Sequence, residues 1–171
     1  MTIPTQPLRD EHRELRPHVE RLREAAEAIG DTPTPKLHAL LDEVDEFLGR
    51  HLIPHAQAEE AALYPVVARL MGAPEATATM RHDHFEIGRL VTELRTLQDH
   101  LADAAYQPGE AESLRRTLYG LYAVITLHFA KEEEIYLPLL DARLSSDEAR
   151  EMFQRMEEAA AEAKQTAVNA G

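Results

Sequence analysis

His128-Phe129-Ala130-Lys131-Glu132-Glu133-Glu134 (HFAKEEE) places a histidine and a glutamate four residues apart. An earlier stretch, His55-Ala56-Gln57-Ala58-Glu59-Glu60 (HAQAEE), does the same. On a helix that spacing puts both side chains on one face, about 40° apart around the axis. The neighbours show which face it is. Apolar residues fall at Leu114, Leu118, Leu121 and Ile125, then again at Ile135 and Leu139. These steps mostly alternate between four and three, the period of a buried bundle seam. His128 and Glu132 take the two seam positions between them. An imidazole and a carboxylate are therefore aimed into a core, where something must compensate them.

The same period organises the rest of the chain. A first helix is expected from about Gln6 to Ile29, with the seam Leu8, His12, Leu15, Val19, Leu22, Ala26, Ile29 and with Pro17 bending it or displacing the seam. Gly30 to Pro35 reads as a loop. A second helix is expected from about Lys36 to Leu70, with Leu41, Leu48, Leu52, His55, Glu59, Ala62 and Val66 on its seam. Pro54 and Pro65 should distort it, and Met71 to Pro74 should end it. A third helix, from Glu75 or Thr79 to Leu101, carries Met80, His84, Ile87, Val91, Leu94 and Gln98. Asp103 to Glu110 reads as a loop by its Pro-Gly pair, and a fourth helix should span about Ala111 to Leu140. Ser145 and Glu148 form a capping box for a fifth helix, with Met152, Phe153 and Met156 as a modest apolar stripe.

The two halves repeat. Asp10 to Leu15 resembles His82 to Ile87 at an offset of 72, and His55, Glu59, Glu60 and Pro65 match His128, Glu132, Glu133 and Pro138 at an offset of 73. Each half is a helical hairpin with one seam histidine on its first helix and a His-x-x-x-Glu pair on its second. The expected fold is all-α: an antiparallel up-down four-helix bundle of two repeated hairpins over residues 1–144, with residues 145–171 adding a C-terminal helix and tail to the same domain.

Bulk composition narrows the chemistry. The chain has 171 residues, enough to bury a substantial core. Its formal charge of -13 argues against nucleic acid and anionic membrane as partners. Without cysteine, thiolate metal sites, iron–sulfur clusters and disulfides are excluded. No apolar run approaches membrane-spanning length, and the N-terminal stretch lacks the pattern of a secretory signal. The expectation is a soluble cytoplasmic protein whose oligomeric state the sequence does not specify.

His12, His55, Glu59, His84, His128 and Glu132 thus point into one bundle. Left uncompensated, each would cost roughly 2–7 kcal/mol, and more if charged. Two metal ions remove that cost, and imidazole with carboxylate suits iron, manganese or zinc. A lone His-x-x-x-Glu is usually a surface pair; two in repeat register, with two further seam histidines, point to a metal site. His51, one turn before His55, is a further candidate ligand, and from the shoulder of the site it reads as a residue that supports a ligand. His18, His38, His82 and His100 read as surface or cap residues. Glu60, Glu133 and Glu134 read as solvated, with Glu60 or Glu133 able to orient a ligand. Met152 and Met156 read as packing.

The set His12, His55-x-x-x-Glu59, His84, His128-x-x-x-Glu132 resembles the hemerythrin-like (HHE, cation-binding) family over about residues 8–140, as do the words DEHREL, EEAALYP and EEEIYLP. The resemblance implies a four-helix bundle with two iron ions and an oxo or hydroxo bridge, Glu59 and Glu132 bridging and the four histidines terminal. The family's oxygen carriers have His-x-x-x-His on the third helix; here the residue four after His84 is Gly88. One terminal ligand is therefore absent, and the vacancy beside Gly88 is the expected place for activity. Bacterial relatives with four histidines are linked to peroxide disproportionation and nitric oxide chemistry. Tyr64 resembles a tyrosine at the same place in some of them and is a further candidate ligand, although its helical phase is poor without a distortion near Pro65. The leading expectation is a di-iron protein that binds or turns over oxygen, hydrogen peroxide or nitric oxide, with catalase-like activity as one form of it. The alternatives are an iron-responsive sensor or storage module and a structural zinc bundle.

Overall fold

The computed structural model describes residues 3–30, 34–100 and 108–169. Of the loop expected at Gly30 to Pro35, residues 31–33 lie outside the described residues, while Thr34 and Pro35 form the start of a helix, where proline's missing N–H costs nothing. Most of the loop expected at 103–110 also lies outside the described residues. The chain is all-α, with no strand among the described residues. Helix α1 spans Gln6–Ala28. Residues 34–71 form one long rod: α2 (Thr34–Phe47), a π turn (Leu48–Leu52), α3 (Ile53–Ala58), a second π turn (Glu59–Leu63) and α4 (Tyr64–Met71). A 3-10 turn (Pro74–Thr77) leads into α5 (Ala78–His100). Residues 108–143 form another rod: α6 (Pro108–Lys131), a π turn (Glu132–Tyr136) and α7 (Leu137–Arg143). Helix α8 spans Ser146–Asn169.

The long rods run antiparallel to their neighbours. Arg9 at the start of α1 pairs with Asp141 at the end of the last rod, and Arg115 near the start of that rod donates to the carbonyl of Ile29. Arg95 pairs with Asp45 while His84 meets Glu60, so α5 opposes the rod of residues 34–71. Helix α8 lies on α3 and the π turn beginning at Glu59. The capping box holds its start: Ser145 N–H donates to Glu148 Oε2 at 3.0 Å, and Glu148 N–H donates to Ser145 Oγ at 3.3 Å. Two apolar clusters fill the bundle. The larger includes Leu15, Val19, Leu22, Leu48, Ile87, Leu118, Leu121 and Phe129. The smaller includes Leu8, Leu63, Val67, Met80, Leu137 and Leu140 and takes in Met152 and Met156 from α8, which are packing residues as expected.

Each π turn ends just before a proline. Ile53 N–H donates to Leu48 O, Tyr64 N–H to Glu59 O and Leu137 N–H to Glu132 O, all across five residues. The next residue in each case is Pro54, Pro65 or Pro138. A proline ring clashes with the carbonyl four residues back and has no N–H to offer it. Widening the preceding turn by one residue moves that carbonyl aside and keeps the rod continuous. The wide turn also advances the helical phase, which corrects the expected seam. Beyond Glu132 the buried residues are Tyr136, Leu137 and Leu140, while Ile135 is 56% exposed and Leu139 half-buried. Beyond Glu59 the core keeps Ala62, as expected, and takes Leu63, Tyr64 and Val67, while Val66 is half-buried.

Two further expectations change. Pro17 does not displace the seam of α1: Leu15, Val19 and Leu22 stay buried on either side of it. It lies on the exposed face, where water can reach the carbonyl it leaves unbonded. Pro108, Gly109 and Glu110 are the first turn of α6 rather than loop, since proline suits a helix start where its missing N–H would have no partner.

Candidate metal centre

Glu59 and Glu132 each begin a π turn, and both are fully buried at the same level of the bundle as His12, His55, His84 and His128. Each glutamate presents its two oxygens to different partners. Glu59 Oε1 lies 3.1 Å from His55 Nε2 and 3.7 Å from His12 Nε2. Glu59 Oε2 lies 3.3 Å from His84 Nε2 and 3.8 Å from His128 Nε2. Glu132 Oε2 faces His12 Nε2 at 3.4 Å, and Glu132 Oε1 faces His128 Nε2 at 3.5 Å. The donors fall into two groups, one of His12, His55, Glu59 and Glu132 and one of Glu59, His84 and His128. The carboxylates lie between them.

Tyr64 completes the second group. Its hydroxyl donates to Glu132 Oε1 at 3.0 Å and lies 3.3 Å from His84 Nε2 and 3.4 Å from His128 Nε2. The π turn makes this possible. Five α-helical steps from Glu59 would turn Tyr64 about 140° away, whereas the wider turn leaves it roughly 50° off. At Gly88, by contrast, a Cβ would meet no neighbouring heavy atom within 4 Å. The polar group beside His84 that the sequence lacks on α5 therefore comes from the neighbouring rod, as a phenol. His51 stays outside both groups: it is exposed, its ring parallel to that of His18 with centroids 6.5 Å apart. His18 and His82 are exposed and His38 is half-buried; the side chain of His100 lies outside the described residues.

All four histidines turn Nε2 inward and Nδ1 outward onto a carboxylate. His12 Nδ1 meets Glu133 at 3.2 Å, His55 Nδ1 meets Glu11 at 3.0 Å, His84 Nδ1 meets Glu60 at 3.0 Å and His128 Nδ1 meets Asp83 at 3.1 Å. Such contacts set the tautomer and orientation of a metal-binding imidazole. The sequence reading reached Glu60 and Glu133 but missed Glu11 and Asp83. Each is the residue before a seam histidine, yet each serves a histidine on another helix, and no local spacing signals that. Phe129 fixes the His12 ring from one side, stacked with centroids 4.2 Å apart.

The donor chemistry fits cations. Both oxygens of Glu59, Oε2 of Glu132 and Nε2 of His12 and His55 are buried without a hydrogen-bond partner. Burial alone would raise the Glu59 carboxyl; His55, His12 and His128 outweigh it and hold Glu59 well below the usual carboxylate range. Burial alone would likewise lower the His128 imidazole, but Glu132 and Glu59 push it up to about 10. His55 is also raised, by Glu59 and Glu11 against its burial. Burial and the charges of Glu59 and Glu132 raise the Tyr64 phenol, so its proton stays on oxygen while only protein surrounds it. With protein atoms alone, protons held on His55 and His128 answer the buried carboxylates. Cations can displace these protons, because metal ligation requires neutral imidazole and ionised carboxylate.

Antiparallel rods around a buried layer of histidines and glutamates define a class of protein: a helical bundle that holds metal ions in its core. The chain belongs to the hemerythrin HHE cation-binding domain family, whose family model matches residues 4–140. No curated protein and no solved structure matches the chain. Among the described residues no helix is long and apolar enough to cross a membrane.

Proposed function

We propose that His12, His55, Glu59, His84, His128 and Glu132 hold two iron ions joined by an oxo or hydroxo bridge, in a protein that binds or turns over oxygen, hydrogen peroxide or nitric oxide. The observation that carries this is the division of each carboxylate: the two oxygens of Glu59 and of Glu132 face different histidines. Bound at those donors, an iron pair supplies one-electron chemistry and a Lewis-acidic position for a small ligand.

The chain supplies the rest. One position offers His12, His55 and a carboxylate oxygen from each glutamate. The other offers His84, His128, the two opposite oxygens and Tyr64. The first has fewer protein donors, which supports it as the place where a small ligand coordinates, and Tyr64 supports the other as the filled one. While no ion draws on its oxygen, Tyr64 holds a proton against Glu132 Oε1, and the Phe129 ring covers one side of His12. The family-matched bundle and the helix that packs on it form one domain in this reading, divided as residues 1–144 and 145–171.

Metal analysis with an optical spectrum of the purified protein tests the proposal. Two irons per chain and near-ultraviolet charge-transfer bands that shift on adding azide or peroxide are expected. His128→Ala should abolish those bands and any release of oxygen from peroxide. A colourless protein containing only zinc would overturn the proposal.

A further inference from the structure

The outer carboxylates are not distributed at random. Glu11 and Asp83 stand at matching places in the repeat, and each contacts a histidine of its own hairpin: Glu11 contacts His55, and Asp83 contacts His128. Glu60 and Glu133 also match, but each reaches across to the other hairpin. Glu60, from the first hairpin, meets His84 of the second at 3.0 Å; Glu133, from the second, meets His12 of the first at 3.2 Å. Glu60 directly follows Glu59, and Glu133 directly follows Glu132. Adjacent glutamates therefore divide the work: one points inward between the metal positions, and the next clasps a histidine of the opposite hairpin. The clasps also differ in charge balance. Glu133 shares its carboxylate with Arg16 at 2.8 Å, while Glu60 contacts no lysine or arginine among the described residues.

Resting on the two-ion reading of the site, we propose that Glu60 and Glu133 are positioning residues. Each holds one histidine of the partner hairpin in its metal-binding tautomer and orientation, and each governs a different ion. Glu60 governs the ion at His84 and His128, and Glu133 the ion at His12 and His55. A charged acceptor on Nδ1 strengthens the donor at Nε2, and its loss typically weakens metal binding roughly 10–100-fold. Glu60, with no cation drawing on its charge, should have the larger effect.

The test is cobalt(II) titration of the full chain against a competing chelator, resolving two dissociation constants, with circular dichroism of the metal-free chain as the structural readout. Glu60→Ala should raise one constant roughly 10–100-fold and leave the other nearly unchanged. Glu60→Gln keeps an acceptor oxygen without the charge and should fall between. The helical signal and thermal midpoint of the metal-free chain should not move, which separates positioning from a structural role. In a His84→Ala background Glu60→Ala should add nothing, whereas Glu133→Ala should still weaken the remaining ion. Equal weakening of both ions by Glu60→Ala, unchanged constants, or a further loss in the His84→Ala background would overturn the inference. A wild-type chain that binds no cobalt would overturn the two-ion reading instead.

Discussion

Tyr64 shows how much can turn on one side chain. Its repeat counterpart, 73 residues on, is Leu137. At these equivalent places one half carries a phenol and the other an apolar group, and the two groups of metal-competent side chains differ accordingly. Tyr64→Phe should leave the six principal donors untouched, so two metal ions should still bind. The hydrogen bond to Glu132 Oε1 would be lost, shifting stability by about 1 kcal/mol. If the phenol ligates ferric iron, the wild-type protein should show a visible phenolate-to-metal band that Tyr64→Phe lacks at equal iron content. Identical spectra would limit Tyr64 to a hydrogen-bonding role. The inward placement of the six histidines and glutamates was legible from periodicity, because each breaks an apolar seam in register with the repeat. Glu11 and Asp83 were not, because they lie off the seams and act on helices other than their own.

At the scale of the element, the π turns decide the site. Glu59 and Glu132 each open a wide turn, and each of these turns ends before a proline. Sequence reasoning placed distortions at Pro54 and Pro65 and none at Pro138, and carried a regular period through all three. That is why it put Ile135 and Val66 on the seam, where the chain buries Tyr136 and Val67 instead. Deleting Ala61, an exposed residue inside the turn Glu59–Leu63, should replace the wide turn by an α-helical one: four steps of about 100° put Tyr64 about 40° from Glu59, close to the roughly 50° of the wide turn. Tyr64 should stay in the site and Leu63 and Val67 in the core, with metal content and spectrum near wild type. Inserting an alanine after Ala61 adds a step instead and should rotate everything beyond it by about 100°, taking Tyr64 out of the site and lowering the melting temperature and metal content. Loss of metal binding in the deletion, or wild-type binding in the insertion, would show that the phase of this turn does not place Tyr64.

For the whole molecule, the buried polar layer divides the apolar interior into two clusters, and α8 extends only one of them. The first hairpin supplies His12, His55 and Glu59, and the second His84, His128 and Glu132, so neither completes a donor group alone. Metal binding should therefore report on docking of the hairpins. Stripping the metal with a chelator should lower the thermal midpoint, and restoring it at about a hundredfold excess over the dissociation constant should regain about 2.7 kcal/mol per ion. Thermal melts followed by circular dichroism, with and without chelator, measure this. A midpoint indifferent to metal would mean that the layer is balanced by its own imidazolium–carboxylate pairs.

The sequence by itself determined the all-α class, the repeated hairpins, the capping box at Ser145 and the six inward-facing histidines and glutamates. All of these rest on local spacing: apolar period, cap chemistry and polar breaks in the seam are written within a few turns of chain. Only the tertiary structure decided which oxygen faces which histidine, that Tyr64 rather than a residue at Gly88 stands beside His84, and that Glu60 and Glu133 clasp the opposite hairpin. Those facts depend on the relative level and rotation of neighbouring rods. A single extra residue in a π turn changes that rotation by most of a right angle, and no periodicity along one helix records it.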